Sequence, residues 1–143
     1  MYVCASFVRL ADKDAKFPAE KDRYHLFVAY ACPWAHRSMM TRAIKGLEDV
    51  IGYTIVHPIW RKTRPGEDEH TGWVFGDPNG EPMTNAAGEG GPFPPAYPGN
   101  EPEPFLNAKT VRELYELAAD TNGKYTVPIL WDKKENTIVR YVM

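Results

Sequence analysis

The run Tyr24-His25-Leu26-Phe27-Val28-Ala29-Tyr30 is apolar and rich in strand formers, and it leads directly into Cys32-Pro33 and a segment of helical periodicity. A second β-branched run, Ile51-Gly52-Tyr53-Thr54-Ile55-Val56-His57-Pro58, follows soon after. Strand, helix and strand so close together make a βαβ unit, which favours parallel pairing through a right-handed crossover. The helix is expected from Pro33 to Leu47. Pro33 suits its first position, where a missing N–H leaves nothing unpaired. Trp34, Met40, Ala43, Ile44 and Leu47 fall near the spacing of one buried stripe, and Gly46 stands near the end, where a helix terminates cheaply.

Further on, Leu106, Val111, Leu114, Tyr115 and Ala118 mark a second helical stripe over Phe105 to Ala119, with Gly123 in the stop region. Tyr125-Thr126-Val127-Pro128-Ile129-Leu130-Trp131 reads as a strand interrupted by proline. The turn Asp132 to Asn136 then leads into Thr137 to Val142, an antiparallel hairpin. Between these parts, Arg64 to Pro104 holds nine of the 13 prolines and eight of the 11 glycines, so it cannot continue a helix or a central strand. Trp73, in Gly72-Trp73-Val74-Phe75, is expected to dock and the rest of the segment to be mostly mobile. The expected organisation is an N-terminal extension over 1–21 and one α/β domain over 22–143, with an irregular insertion at 64–104.

A chain of 143 residues has room for one such domain, and 43% hydrophobic with 25% charged residues is ordinary for a globular protein. With 17 basic against 19 acidic residues the formal net charge is −2, which leaves no electrostatic footprint for nucleic acid or an anionic membrane. No apolar stretch approaches the ~20 residues of a membrane span. The start lacks the basic region and apolar core of a secretory signal. A cytoplasmic protein is expected.

Cys32 carries the chemistry. At a strand-to-helix turn the free N–H groups and the positive end of the helix dipole favour a thiolate. The residue two after Pro33 is Ala35, so this Cys-x-x-Ala site has no resolving partner next door. A lone activated thiol doing redox work draws its second thiol from solution, and the abundant candidate is glutathione. A Cys4–Cys32 bridge is disfavoured, since one cysteine sits in a short terminal tail and the other at a strand end. His36 lies four residues after Cys32, but His57 and His70 are isolated, so no metal site is expected.

Four blocks narrow the family. Tyr24-His25-Leu26 leading into Ala31-Cys32-Pro33-Trp34-Ala35-His36-Arg37 resembles the active-site stretch of the glutathionyl-hydroquinone reductases, the omega-like Xi class of glutathione transferases. Lys45-Gly46-Leu47-Glu48, Gly72-Trp73-Val74-Phe75 and Val127-Pro128-Ile129-Leu130-Trp131-Asp132-Lys133-Lys134 resemble further stretches of that family in the same order. The similarity runs from about Asp22 to Val139. The resemblance implies a thioredoxin-like fold and a two-step reaction on a glutathionyl-hydroquinone, in which Cys32 takes up the glutathionyl group and a second glutathione releases it. It also implies glutathione contacts from Trp73, Lys124, Tyr125, Thr126, Val127 and Pro128, the Val127 main chain pairing with the tripeptide like an added strand. Pro33, Trp34 and Arg37 are expected to support the site at the helix start, with core packing as the alternative for Trp34 and a solvated face for Arg37.

The family continues from this hairpin into an Asn-Glu-Ser stretch whose Glu-Ser pair holds the γ-glutamyl end of glutathione. Here Arg140-Tyr141-Val142-Met143 stands instead. The resemblance therefore implies the thioredoxin-like part alone, without the last helix or the C-terminal all-α domain on which the family's homodimer depends. Two alternatives stay open, a glutaredoxin-like or omega-class thiol transferase and a truncated, non-catalytic product.

Overall fold

A computed structural model describes residues 16–139. Cys4 and the Arg140–Met143 tail lie outside the described residues. Two compact units are present among the described residues, 16–53 with 127–139 and 54–126.

The elements of the first unit follow from where the chain is most apolar. Strand β1, Tyr24–Val28, is buried at every position, and so is β5, Ile129–Asp132. Strands covered on both faces read as continuous rather than alternating hydrophobic runs, as these do. They pair antiparallel with Tyr24 opposite Asp132, His25 opposite Trp131, Leu26 opposite Leu130 and Phe27 opposite Ile129. Strand β6, Thr137–Ile138, closes the expected hairpin on β5, and β2, Gly52–Ile55, lies on the other side of β1, giving the order β2-β1-β5-β6. The element order and this sheet make the architecture thioredoxin-like.

Helix α1 spans Pro33–Ile44, three residues short of the expected end. Gly46 at φ +62° ends it: its N–H bonds Ala43 O, and the Leu47 N–H reaches Arg42 O. That pair of bonds is the Schellman stop, which needs the left-handed conformation that glycine adopts cheaply. The expected buried stripe is corrected. Trp34, Met40, Ala43 and Ile44 are exposed, whereas Ala35 and Ser38 are buried and Met39 and Arg42 half-buried. The inward face is built of small residues, so side-chain size misled the reading.

Polar interactions fix the sheet's ends. The Arg23 guanidinium donates from Nε and Nη2 to Asp132 Oδ2 at 2.9 and 2.6 Å, with Asp132 fully buried. Asp132 Oδ1 accepts from the Lys134 and Glu135 N–H groups, so one carboxylate ties the start of β1 to the hairpin turn. The ion pair and hydrogen bond with Asp132 push the Arg23 pKa up.

In the second unit an unexpected two-stranded ladder joins β3, Trp60–Lys62, to β4, Thr71–Trp73, with Trp60 opposite Trp73. The Pro/Gly-rich segment carries more fixed contacts than the reading above allows. Met83 and Phe93 exchange main-chain hydrogen bonds, and Asn100 Nδ2 donates to Ile55 O at 2.7 Å. Fully buried His57 accepts the Ile59 N–H at Nδ1, so its Nε2 carries the proton donated to Pro94 O at 3.0 Å. Gly76 has no room for a side chain, since a Cβ would meet Asn100 O at 2.5 Å.

Helix α2 covers only Val111–Leu117, not 105–119. Ahead of it the buried Glu103 carboxylate collects the N–H groups of Phe105, Leu106 and Ala108, and Asn107 turns at φ 56°. The helix opens at Thr110, whose Oγ1 accepts the Glu113 N–H while Glu113 accepts that of Lys109. This is close to the capping-box pattern. Val111 and Leu114 of the expected stripe are fully buried.

Two stability predictions follow from the first unit. Asp132→Ala strands a buried guanidinium and two N–H donors, and is expected to cost about 3 kcal/mol or more in urea unfolding; a loss below about 1 kcal/mol would contradict this account. Burial pushes the His25 pKa down from 6.5 to about 4, helped by the positive charges of Lys133 and Arg42. The folded pKa is the lower one, so the contribution is complete above pH 6.5 and is lost as pH falls toward 4. At pH 5 the loss is on the order of 2 kcal/mol. His25→Asn is expected to flatten the dependence of the urea midpoint between pH 7 and 5, and an unchanged slope would show that other groups set it.

Candidate thiol site

Cys32 is the N-cap of α1, with extended backbone at φ −99° and ψ 113°. Its C=O accepts the His36 N–H at 3.2 Å and its own N–H donates to Ala29 O at 3.0 Å, so the main chain is held on both sides. The side chain makes no capping bond, and Pro33 occupies the first turn as expected. The half-buried thiol is a free cysteine, and it donates to Val127 O with Sγ 3.7 Å away. This contact is a consequence of register. With Phe27 opposite Ile129, the residues just beyond the strands are the Ala29–Cys32 turn after β1 and Val127-Pro128 before β5. The Val127–Pro128 peptide is cis, the Val127 side chain is buried and Pro128 is half-buried.

Trp34 is about half exposed, and the Arg37 guanidinium lies over its ring, 4.5 Å from the centroid. Core packing for Trp34 is thereby corrected: its position turns it away from the buried Ala35–Ser38 face. Arg37 is exposed, and His36 is too.

The remaining expected residues belong to the second unit. Trp73 is half-buried in β4 and meets Trp60 edge-on, with centroids 5.4 Å apart. Lys124 is exposed. Tyr125 is half-buried beneath edge contacts from His70 and Tyr115, with the Arg112 guanidinium 5.5 Å from its ring centroid. Thr126 is exposed, and its C=O accepts from the Tyr115 hydroxyl at 2.9 Å. The structure thus brings Cys32, Pro33, Val127 and Pro128 together, and separately joins Tyr125 and Thr126 to Tyr115. In the sequence Tyr115 stands only as one position of an apolar stripe. The available signal was a phenol at a helical position that leaves it half-buried, where its hydroxyl needs a partner. Among the described residues, no group of three or more His, Cys, Asp or Glu is placed to hold a metal, and no helix is long and apolar enough to cross a membrane.

A family model for the glutathione S-transferase N-terminal domain matches residues 31–140, which include every site residue from Cys32 to Pro128. The chain belongs to that family. Among its relatives, glutathione S-transferase omega-like 2 of Schizosaccharomyces pombe is 39% identical over 132 residues, covering 92% of this chain and 34% of the relative. Glutathionyl-hydroquinone reductase YqjG of Escherichia coli is 38% identical over 125 residues, covering 86% and 30%. The crystal structure of the Xi glutathione transferase ECM4 of Saccharomyces cerevisiae in complex with glutathione superposes with a TM-score of 0.69 at 33% identity, covering 90% and 38%. The chain therefore spans about a third of the length of the curated relatives it matches. For this glutathione S-transferase N-terminal domain, the thioredoxin-like fold implied by the four sequence blocks stands.

Proposed function

We propose that this chain supplies the thiol and the glutathione cradle of a glutathionyl-hydroquinone reductase. The observation that carries the reading is the half-buried Cys32 thiol at the N-cap of α1, beside the Val127 carbonyl and with Ala35 in place of a resolving cysteine. In the first step the Cys32 thiolate attacks the sulfur of the glutathionyl-hydroquinone. A Cys32–glutathione disulfide forms, the sulfur–aryl bond breaks with its electron pair, and the aryl carbon takes a proton to give the hydroquinone. In the second step a glutathione thiolate attacks the mixed disulfide, releasing oxidised glutathione and restoring Cys32. The aryl thioether is thus reduced to the hydroquinone while two glutathionyl sulfurs are oxidised to the disulfide. Lys124 to Pro128 and Trp73 are assigned to glutathione binding, with the tripeptide main chain running along Val127. Such chemistry requires a reducing glutathione pool, and we place the protein in the cytosol.

A thiol-transferase reading is kept beside it, because reduction of a small glutathione mixed disulfide needs only the Cys32–Val127 arrangement. Steady-state turnover separates the two. Wild type and Cys32→Ser are assayed with glutathione on a glutathionyl-hydroquinone and on hydroxyethyl disulfide. Turnover of the thioether that disappears in Cys32→Ser, by a factor of about 100 or more, is the expected result. Turnover of the disulfide alone would favour the transferase, and turnover of neither would remove the catalytic reading for this chain.

A further inference from the structure

The segment Lys124-Tyr125-Thr126 belongs to no helix or strand, although the proposed function assigns it to glutathione binding. Side chains of α2 and of the segment before β4 fix its course. The Tyr115 hydroxyl donates to Thr126 O at 2.9 Å and lies 3.4 Å from Thr126 Oγ1. Tyr115 is anchored in turn by α2, whose Val111 and Leu114 are fully buried. The Tyr125 ring is gripped by His70 at 5.0 Å, Tyr115 at 5.7 Å and the Arg112 guanidinium at 5.5 Å. Arg112 has little freedom, since Asp68 holds its Nη1 at 2.6 Å and Glu116 its Nε at 2.9 Å. Glu116 is shared with Arg64 at 2.6 Å, and the His70 N–H donates to Asp68 Oδ1 at 3.1 Å.

Resting on the glutathione reading of 124–128, we propose that Tyr115 is a positioning residue for tripeptide binding. Its hydroxyl occupies the Thr126 carbonyl and fixes the path of Lys124 to Thr126. Arg112, locked by Asp68 and Glu116, holds the neighbouring ring in register. An exposed carbonyl left to water would keep the chain folded but would leave that path to be ordered at the moment of binding, at an entropic cost borne by the ligand.

The test is protection of Cys32 from alkylation by iodoacetamide, read at the Cys32 peptide by mass spectrometry. S-Methylglutathione serves as the probe because it has no thiol to consume the reagent. Tyr115→Phe removes the hydroxyl and keeps the ring against Tyr125. The expected result is an unchanged Tm and an unchanged alkylation rate without probe, with the half-protecting concentration raised about three- to tenfold. Equal protection of wild type and Tyr115→Phe overturns the proposal. So does a variant whose unliganded alkylation rate and Tm shift together, since Tyr115 would then be merely structural. If S-methylglutathione does not protect wild type at all, the glutathione reading itself falls and takes this inference with it.

Discussion

The antiparallel register of β1 on β5 is the constraint from which the thiol site descends. Phe27 opposite Ile129 fixes which residues lie just past the end of the ladder on each strand. On one side they are the turn that ends in Cys32, and on the other Val127 and Pro128. A slip of one residue would turn each side chain of β5 to the opposite face, and both strands are buried on both faces, so the register is strongly specified. The 3.7 Å approach of Cys32 Sγ to Val127 O is thus set by the core itself.

Around that core the protein uses charge and hydrogen bonding where apolar burial runs out. Asp132 lies fully buried at the far end of the same ladder, opposite Tyr24, and spends both oxygens on the Arg23 guanidinium and the hairpin turn. Such a pair contributes less than its gross attraction, because both groups gave up water, yet removing one partner is costly. In the second unit side chains replace the missing regular structure. His57 bonds the Pro94 carbonyl, Asn100 ties its loop to the Ile55 carbonyl at the end of β2, and Glu103 holds the Leu106 N–H ahead of α2. This explains how a segment that reads as unstructured carries defined turns.

What the sequence makes legible is what depends on the local chain. The strand–Cys32–Pro33–helix turn, the helix stop at Gly46 and the closing hairpin all rest on neighbouring residues, and each is found in place. The inward face of α1 was misread because burial there selects small side chains, Ala35 and Ser38, over the large apolar residues that dominate a hydrophobicity pattern. The short α2 was misread because its start is decided by Thr110, Glu113 and Glu103, whose hydrogen bonds outcompete an apolar stripe reaching back to Leu106. The β3–β4 ladder is only three residues deep, too short for periodicity to register. For the site, Cys32 and the Val127–Pro128 pair were visible as types of residue in order. Tyr115 was not, because its partner Thr126 lies 11 residues away along a chain that turns in between.

Under the proposed function this fold, and not cysteine chemistry in general, makes Cys32 a glutathione-reactive thiol. Cys4 is an internal reference in the same molecule. The decisive measurement is the rate of mixed-disulfide formation with oxidised glutathione at each cysteine, followed by peptide mass spectrometry in buffer and again in concentrated urea. The account predicts that Cys32 reacts roughly tenfold or more faster than Cys4 in the folded chain, and that urea removes the difference. Equal rates in the folded chain, or a Cys32 advantage that survives unfolding, would contradict it.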